Sequence, residues 1–250
     1  MKKKKEKNYH FFKKYEKDFS LPGKKNTIGS IHIINQTIQK SVFILKKFGF
    51  FLESGKEIED SYHNFTALNV PENHPSRDEK DTFWISKNKL LRTQTSGVQI
   101  RILKKKKIPT KVISFGKVYR KDYDKTHTPM FHQIEGFYVD KNVNFLYLKN
   151  ILINFIKEFF EKKIQFRFRC SYFPFTEPSF EIDISKDDRW IEVLGCGMIH
   201  PKVLKNVGID CNKYSGFAFG IGIERLASIK YEVEDIRLFF ENDVRFLKQF

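Results

Sequence analysis

The sequence predicts an α+β fold built on antiparallel strands, and three observations carry that prediction. Apolar residues recur every three or four positions in two separate segments. Two strand-like runs, Val112 to Asp122 and Phe131 to Asp140, are joined by a short polar loop. Further short strand-like runs follow the second helical segment.

Residues 1–28 are polar and basic, open with Lys2 to Lys5 and contain Pro22-Gly23, so they read as a flexible or weakly helical arm. Beyond the arm, one domain is expected over 29–250, with no repeat and no interdomain linker. Ile31, Ile34, Ile38, Val42, Leu45 and Phe48 make one helical stripe, and Gly49 is its expected stop. The hairpin loop holds Asp124, Thr126, Thr128 and Pro129. Phe145, Leu148, Leu152, Phe155 and Phe159 define an amphipathic helix over 144–163. Gln165–Cys170, Ser179–Ile184 and Trp190–Leu194 read as strands, and a last helix runs from near Gly222 to about Tyr231.

Composition narrows the function classes. In 250 residues, 40% are hydrophobic and 30% charged, which is globular and not disordered. No apolar run approaches the roughly 20 residues of a membrane span, and no apolar segment follows the basic start as in a signal peptide. Cys170, Cys196 and Cys211 have no metal-ligand spacing and read as free thiols of a reducing cytosol. The net charge of +16 fits a polyanionic partner such as RNA; it equally fits an AT-biased genome, which enriches Lys, Ile, Asn and Phe.

Five stretches carry candidate chemistry. His74 to Trp84 gathers His, Arg, acidic residues and Trp, a cluster usual in solvated turns and also in loops that carry sites. Leu90 to Ser96 is polar at its end, and Ser96 with Gln99 has capping-box spacing. In the hairpin, Phe131, Gln133 and Glu135 share one strand face, which suits the floor of a polar ligand site; Arg120 near the strand end suits a phosphate clamp. Phe173 and Phe175 point the same way if extended, as core or as an aromatic pocket, and Glu177 beside them would take a hard cation. Gly216 to Arg225 is glycine-rich without the flanks of a dinucleotide fingerprint or the Lys of a P-loop.

These strings resemble a known family. Arg120, His127 and Phe131 are similar to motif 2 of class II aminoacyl-tRNA synthetases, and Gly220-x-Gly222-x-Glu224-Arg225 to motif 3. Thr126 to Gly136, Phe173 to Ser179 and Glu192 to Met198 resemble the alpha subunit of bacterial-type phenylalanine–tRNA ligase in order and spacing, over about residues 29–250. The resemblance implies the class II catalytic fold, an antiparallel sheet flanked by helices. It implies a cytoplasmic α2β2 enzyme that activates phenylalanine with ATP and transfers it to tRNA(Phe). By that correspondence Arg120 clamps the α-phosphate and the substrate carboxylate, and Arg225 covers the adenine with Phe131 on its other side. His127 faces the triphosphate. Ser96, Gln99, Gln133 and Glu135 receive phenylalanine, with Trp84 near. Phe173, Phe175 and Ala218 line the ring pocket, and Glu177 is a Mg²⁺ ligand shared with the beta subunit.

The chain departs from the pattern in having Gln94 where the family usually has His, and in lacking the usual Pro near Gly97. The arm is short for a family coiled coil and lacks sustained heptads, and an editing function is expected on a partner. The sequence leaves two other readings to compare. A single-chain organellar ligase would add an RNA-binding domain after Phe250. A non-catalytic RNA-binding or scaffold protein would have no need of Arg120, Glu135, Glu177 and Arg225.

Overall fold

The computed structural model describes Gly23, residues 29–105, 107–187 and 189–250. The arm expected over 1–28 lies, Gly23 apart, outside the described residues. Contacts divide the chain into Met1–Ser30 and Ile31–Phe250, and the second unit holds every element below.

Helix α1 (Ile33–Lys47) buries Ile34, Ile38 and Leu45 along the expected stripe. Ile31 precedes the helix and stays exposed. Gly49 (φ +82°) ends it: its N–H donates to the Lys46 carbonyl at 2.9 Å and that of Phe50 to the Leu45 carbonyl at 3.4 Å. These are the two bonds of a Schellman motif, in a conformation that favours glycine.

Strand β1 (Phe51–Leu52) follows, then β2 (Ile58–Asp60), α2 (Ser61–Asn64), β3 (Trp84–Ser86), β4 (Lys89–Leu91) and α3 (Gly97–Leu103). Next come the hairpin β5 (Thr110–Tyr119) and β6 (Met130–Asp140), then α4 (Phe145–Phe160). Then β7 (Phe166–Phe173), β8 (Thr176–Lys186), β9 (Arg189–Ile199), α5 (Pro201–Asn206), β10 (Ser215–Gly222), α6 (Ile223–Lys230) and α7 (Val244–Leu247) complete the order. The main sheet runs β1-β5-β6-β10-β9-β8-β7, antiparallel throughout except for the parallel pair β1–β5. A separate small sheet has the order β2-β4-β3.

Strand β10 is absent from the sequence-based expectation, which takes Gly216 to Arg225 only as a glycine-rich stretch. Its logic is a two-residue alternation: Phe217, Phe219 and Ile221 are buried on one face, while Ala218, Gly220 and Gly222 occupy the other. The large side chains join a core with Phe155 and Phe159 of α4, Ile34 of α1 and Leu226 of α6. Each such side chain contributes about 1.5–3 kcal/mol by leaving water. On the opposite face a second cluster joins Phe137 and Val139 of β6 to Phe65, Leu90, Ile100 and Val203. It covers one end of that face and leaves the rest open.

Candidate active site

The open part of that face is a cavity of about 820 Å³. Register explains its floor. Glu135 of β6 lies beside Gly220 of β10, and Gly220 beside Gly195 of β9, so two adjacent floor positions next to Glu135 carry no side chain. Arg120, His127, Phe131, Gln133, Glu135, Ser96, Gln99, Phe173, Phe175, Ala218 and Arg225 all line the cavity.

At the centre, Glu135 accepts the Thr95 N–H at 2.8 Å and the Ser96 hydroxyl. Protein on all sides desolvates the carboxyl and raises its pKa, against the pull of those donors and of Arg120. This corrects the capping-box expectation: Ser96 stands at the N-terminus of α3 but caps no backbone group there, since its hydroxyl serves Glu135 instead. Among the described residues, Gln133 Oε1 and Thr95 Oγ1 are buried with no hydrogen-bond partner. An orphan acceptor costs on the order of 1–3 kcal/mol. Two such oxygens beside a carboxylate fit a cationic donor such as an ammonium. Gln94 also faces the cavity, and its amide donates to the Asn64 carbonyl at 3.1 Å.

Arg120 lies over the Phe131 ring, 5.3 Å from its centroid, and its Nε donates to the Thr93 carbonyl at 3.2 Å. It reaches solvent through the cavity mouth, yet surrounding protein desolvates it and lowers its pKa against the charge of Glu135. Among the described residues its two terminal nitrogens meet no carboxylate within ion-pair range, which leaves the fork to bind oxygens of a ligand. Arg225 leaves the first turn of α6, donates to the Glu192 carbonyl at 3.1 Å, pairs with its carboxylate at 3.4 Å and meets His127 Nε2 at 3.3 Å. His127 is held from its other nitrogen by Asp124 at 2.9 Å. The Thr126 N–H and His127 in turn hold the Asp124 carboxyl well below the usual range.

At the other end the Phe173 and Phe175 rings stack, 5.7 Å apart and 6° from parallel. Phe173 rests on Gly195: a Cβ there would come within 2.9 Å of its ring. Leu68, Val70 and Ala218 complete this apolar end.

Two expected residues stand elsewhere. Trp84 does not line the cavity; its ring lies 6.1 Å from that of Phe65, which does, and its indole N–H donates to the Arg77 carbonyl at 3.1 Å. It is one layer behind the wall. Glu177 is also outside, with its side chain 72% exposed and 3.2 Å from His200 Nε2. One exposed carboxylate does not make a Mg²⁺ site, because that ion demands near-octahedral oxygen ligation. Among the described residues Glu177 belongs to no cluster of three ligating side chains. The cavity is also lined by Thr93, Glu192, Gly195 and Cys196, which are not among the residues expected from the sequence. The string Gly195-Cys196-Gly197, small residues at two-residue spacing in a strand, was the available signal for the floor.

The comparisons with known proteins agree with this layout. The chain superposes on pyrrolysyl-tRNA synthetase from Desulfitobacterium hafniense with a TM-score of 0.67 at 16% identity, over 84% of this chain and 74% of that one, a likeness of fold alone. Residues 16–250 match the model of the class II tRNA synthetase core domain (F), so the chain is a class II aminoacyl-tRNA synthetase catalytic domain. Its relatives include the phenylalanine–tRNA ligase alpha subunits of Actinobacillus succinogenes and Proteus mirabilis, each 58% identical over 93% of this chain. The match spans 71% and 72% of those relatives. That of Hamiltonella defensa is 59% identical over 93% of this chain and 72% of the relative. The chain belongs to the phenylalanine–tRNA ligase alpha subunit family and is a ligase of translation.

Proposed function

We propose that the cavity binds phenylalanine and ATP side by side and joins them. A carboxylate oxygen of phenylalanine attacks the α-phosphorus, the bond to the bridging oxygen breaks, and pyrophosphate leaves. A ribose hydroxyl of tRNA(Phe) then attacks the carbonyl of the adenylate and AMP leaves. The observation that carries this reading is a polarity gradient in one cavity: a stacked Phe pair at one end, the orphan Gln133 oxygen with Glu135 in the middle, and Arg120 and Arg225 at the other.

Each group has a matching task. Phe173, Phe175 and Ala218 take the ring; Gln133, Glu135 and Ser96 take the ammonium, with Gln99 behind them. Arg120 binds the α-phosphate and the carboxylate, and stabilises charge that grows on the phosphoryl oxygens as the bond forms. Phe131 and Arg225 sandwich the base, and His127 faces the phosphates. Holding both substrates in line supplies most of the acceleration, since no covalent intermediate with the protein is needed. Bound Mg²⁺ would neutralise phosphate charge. Glu177 fits only as one ligand of a site completed by a beta subunit, in a cytoplasmic α2β2 assembly. No described helix is long and apolar enough to cross a membrane.

Phenylalanine-dependent ATP–pyrophosphate exchange tests the reading, with the chain alone and with its beta subunit. Exchange that requires phenylalanine supports it, and no exchange in either arrangement overturns it.

A further inference from the structure

Glu224 carries no ligand role in the mechanism above, yet it is a buried carboxylate, 2% exposed. Its partner lies on another element. Both Glu224 oxygens accept the His132 backbone N–H at 3.0 Å, and Oε1 lies 2.7 Å from His132 Nδ1. The ring of His132 stacks on Phe240, 6.3 Å between centroids and 9° from parallel.

The sheet register explains why a carboxylate is needed there. Strand β10 pairs with β6 as far as Gly222 opposite Gln133, and then turns into α6. His132 is the next residue along β6, and its N–H faces the side on which β10 has ended. An unpaired buried N–H is costly, and Glu224 from the first turn of α6 replaces the missing strand. A carboxylate does this well because it accepts from the backbone and the ring together.

The neighbours of the pair give it a function. His132 sits between Phe131 and Gln133 on β6, and Glu224 immediately precedes Arg225 on α6. We infer that Glu224 and His132 form a positioning pair that holds Arg225 at the correct height over Phe131, so that the two walls of the nucleotide end keep one spacing. The inference rests on the assignment of that end of the cavity to ATP.

The test uses variants of the chain assembled with its beta subunit, assayed by phenylalanine-dependent ATP–pyrophosphate exchange. Glu224→Gln keeps the size of the side chain but leaves one acceptor oxygen for two donors. It is expected to raise KM for ATP about tenfold, the usual weight of a lost hydrogen bond to a charged group. KM for phenylalanine should stay within about twofold of the parent, because the aromatic end does not touch α6. His132→Leu removes only the ring contact, leaves the backbone N–H on Glu224 and is expected to raise KM for ATP about threefold. Folding of each variant is read from its thermal midpoint, and the leucine variant serves if the glutamine one does not fold. A rise in both KM values together, or no rise in KM for ATP in a folded variant, overturns the inference. If the parent assembly itself shows no phenylalanine-dependent exchange, the ATP assignment fails first, and that outcome is told apart by the parent alone.

Discussion

The two faces of the main sheet follow opposite rules, although the same strands supply both. On the helix side, Phe217, Phe219 and Ile221 of β10 meet Phe155 and Phe159 in a close-packed core. On the cavity side, the same strand offers Ala218, Gly220 and Gly222, and its neighbour β6 offers Phe131, Gln133 and Glu135. One face gains stability by excluding water. The other holds a desolvated carboxylate and unpartnered oxygens, each of which weakens the fold until a ligand arrives. The lesson is that one strand, by its two-residue period, can be a stability element and a site element at once.

Substitutions that touch one face and spare the other would break that division. Phe217→Ala should lose about 3–5 kcal/mol of stability, measured by denaturant unfolding, because it empties a fully buried core position. Arg120→Lys should leave the unfolding midpoint near that of the parent and lower exchange activity about 10²–10³-fold, since a point charge replaces the bidentate fork. Near-normal exchange would remove Arg120 from the site.

Glu135→Gln separates function from stability by sign. Burial raises the Glu135 pKa above the ordinary 4.5, so the folded chain holds this proton more tightly than the unfolded chain. Ionised Glu135 therefore weakens the fold as pH rises through the folded pKa, and the effect disappears below the ordinary value. The glutamine variant is expected to be more stable than the parent at neutral pH, equal to it near pH 4, and poor in phenylalanine binding. A neutral-pH melt that favours the parent would contradict this. Ala218→Gly should have the smallest effect on the parent reaction while admitting phenylalanines with larger ring substituents; continued rejection of such analogues would move the ring pocket elsewhere.

Much of this was legible in the sequence, for identifiable reasons. The helical stripes of α1 and α4 are strongly periodic, and the polar face of β6 alternates cleanly. The floor was harder to read. The glycines of Gly216 to Gly222 obscure the strand, because glycine usually marks turns, whereas here the large residues between them specify a strand. Ser96 was read locally, as a cap, because its partner Glu135 is 39 residues away. Trp84 and Glu177 sit in strings typical of the family, but proximity in sequence did not bring them to the cavity wall. The small sheet β2-β4-β3 is built from strands of three residues each, too short for any periodic signal.

The most direct measurement of the central claim is calorimetric titration of the assembly with a non-hydrolysable phenylalanyl-adenylate analogue. One molecule per chain should bind, at least tenfold more weakly to Gln133→Ala and to Arg120→Ala, which act on different groups of the same ligand. Absence of binding, or equal binding by both variants and the parent, would contradict the assignment of the cavity face.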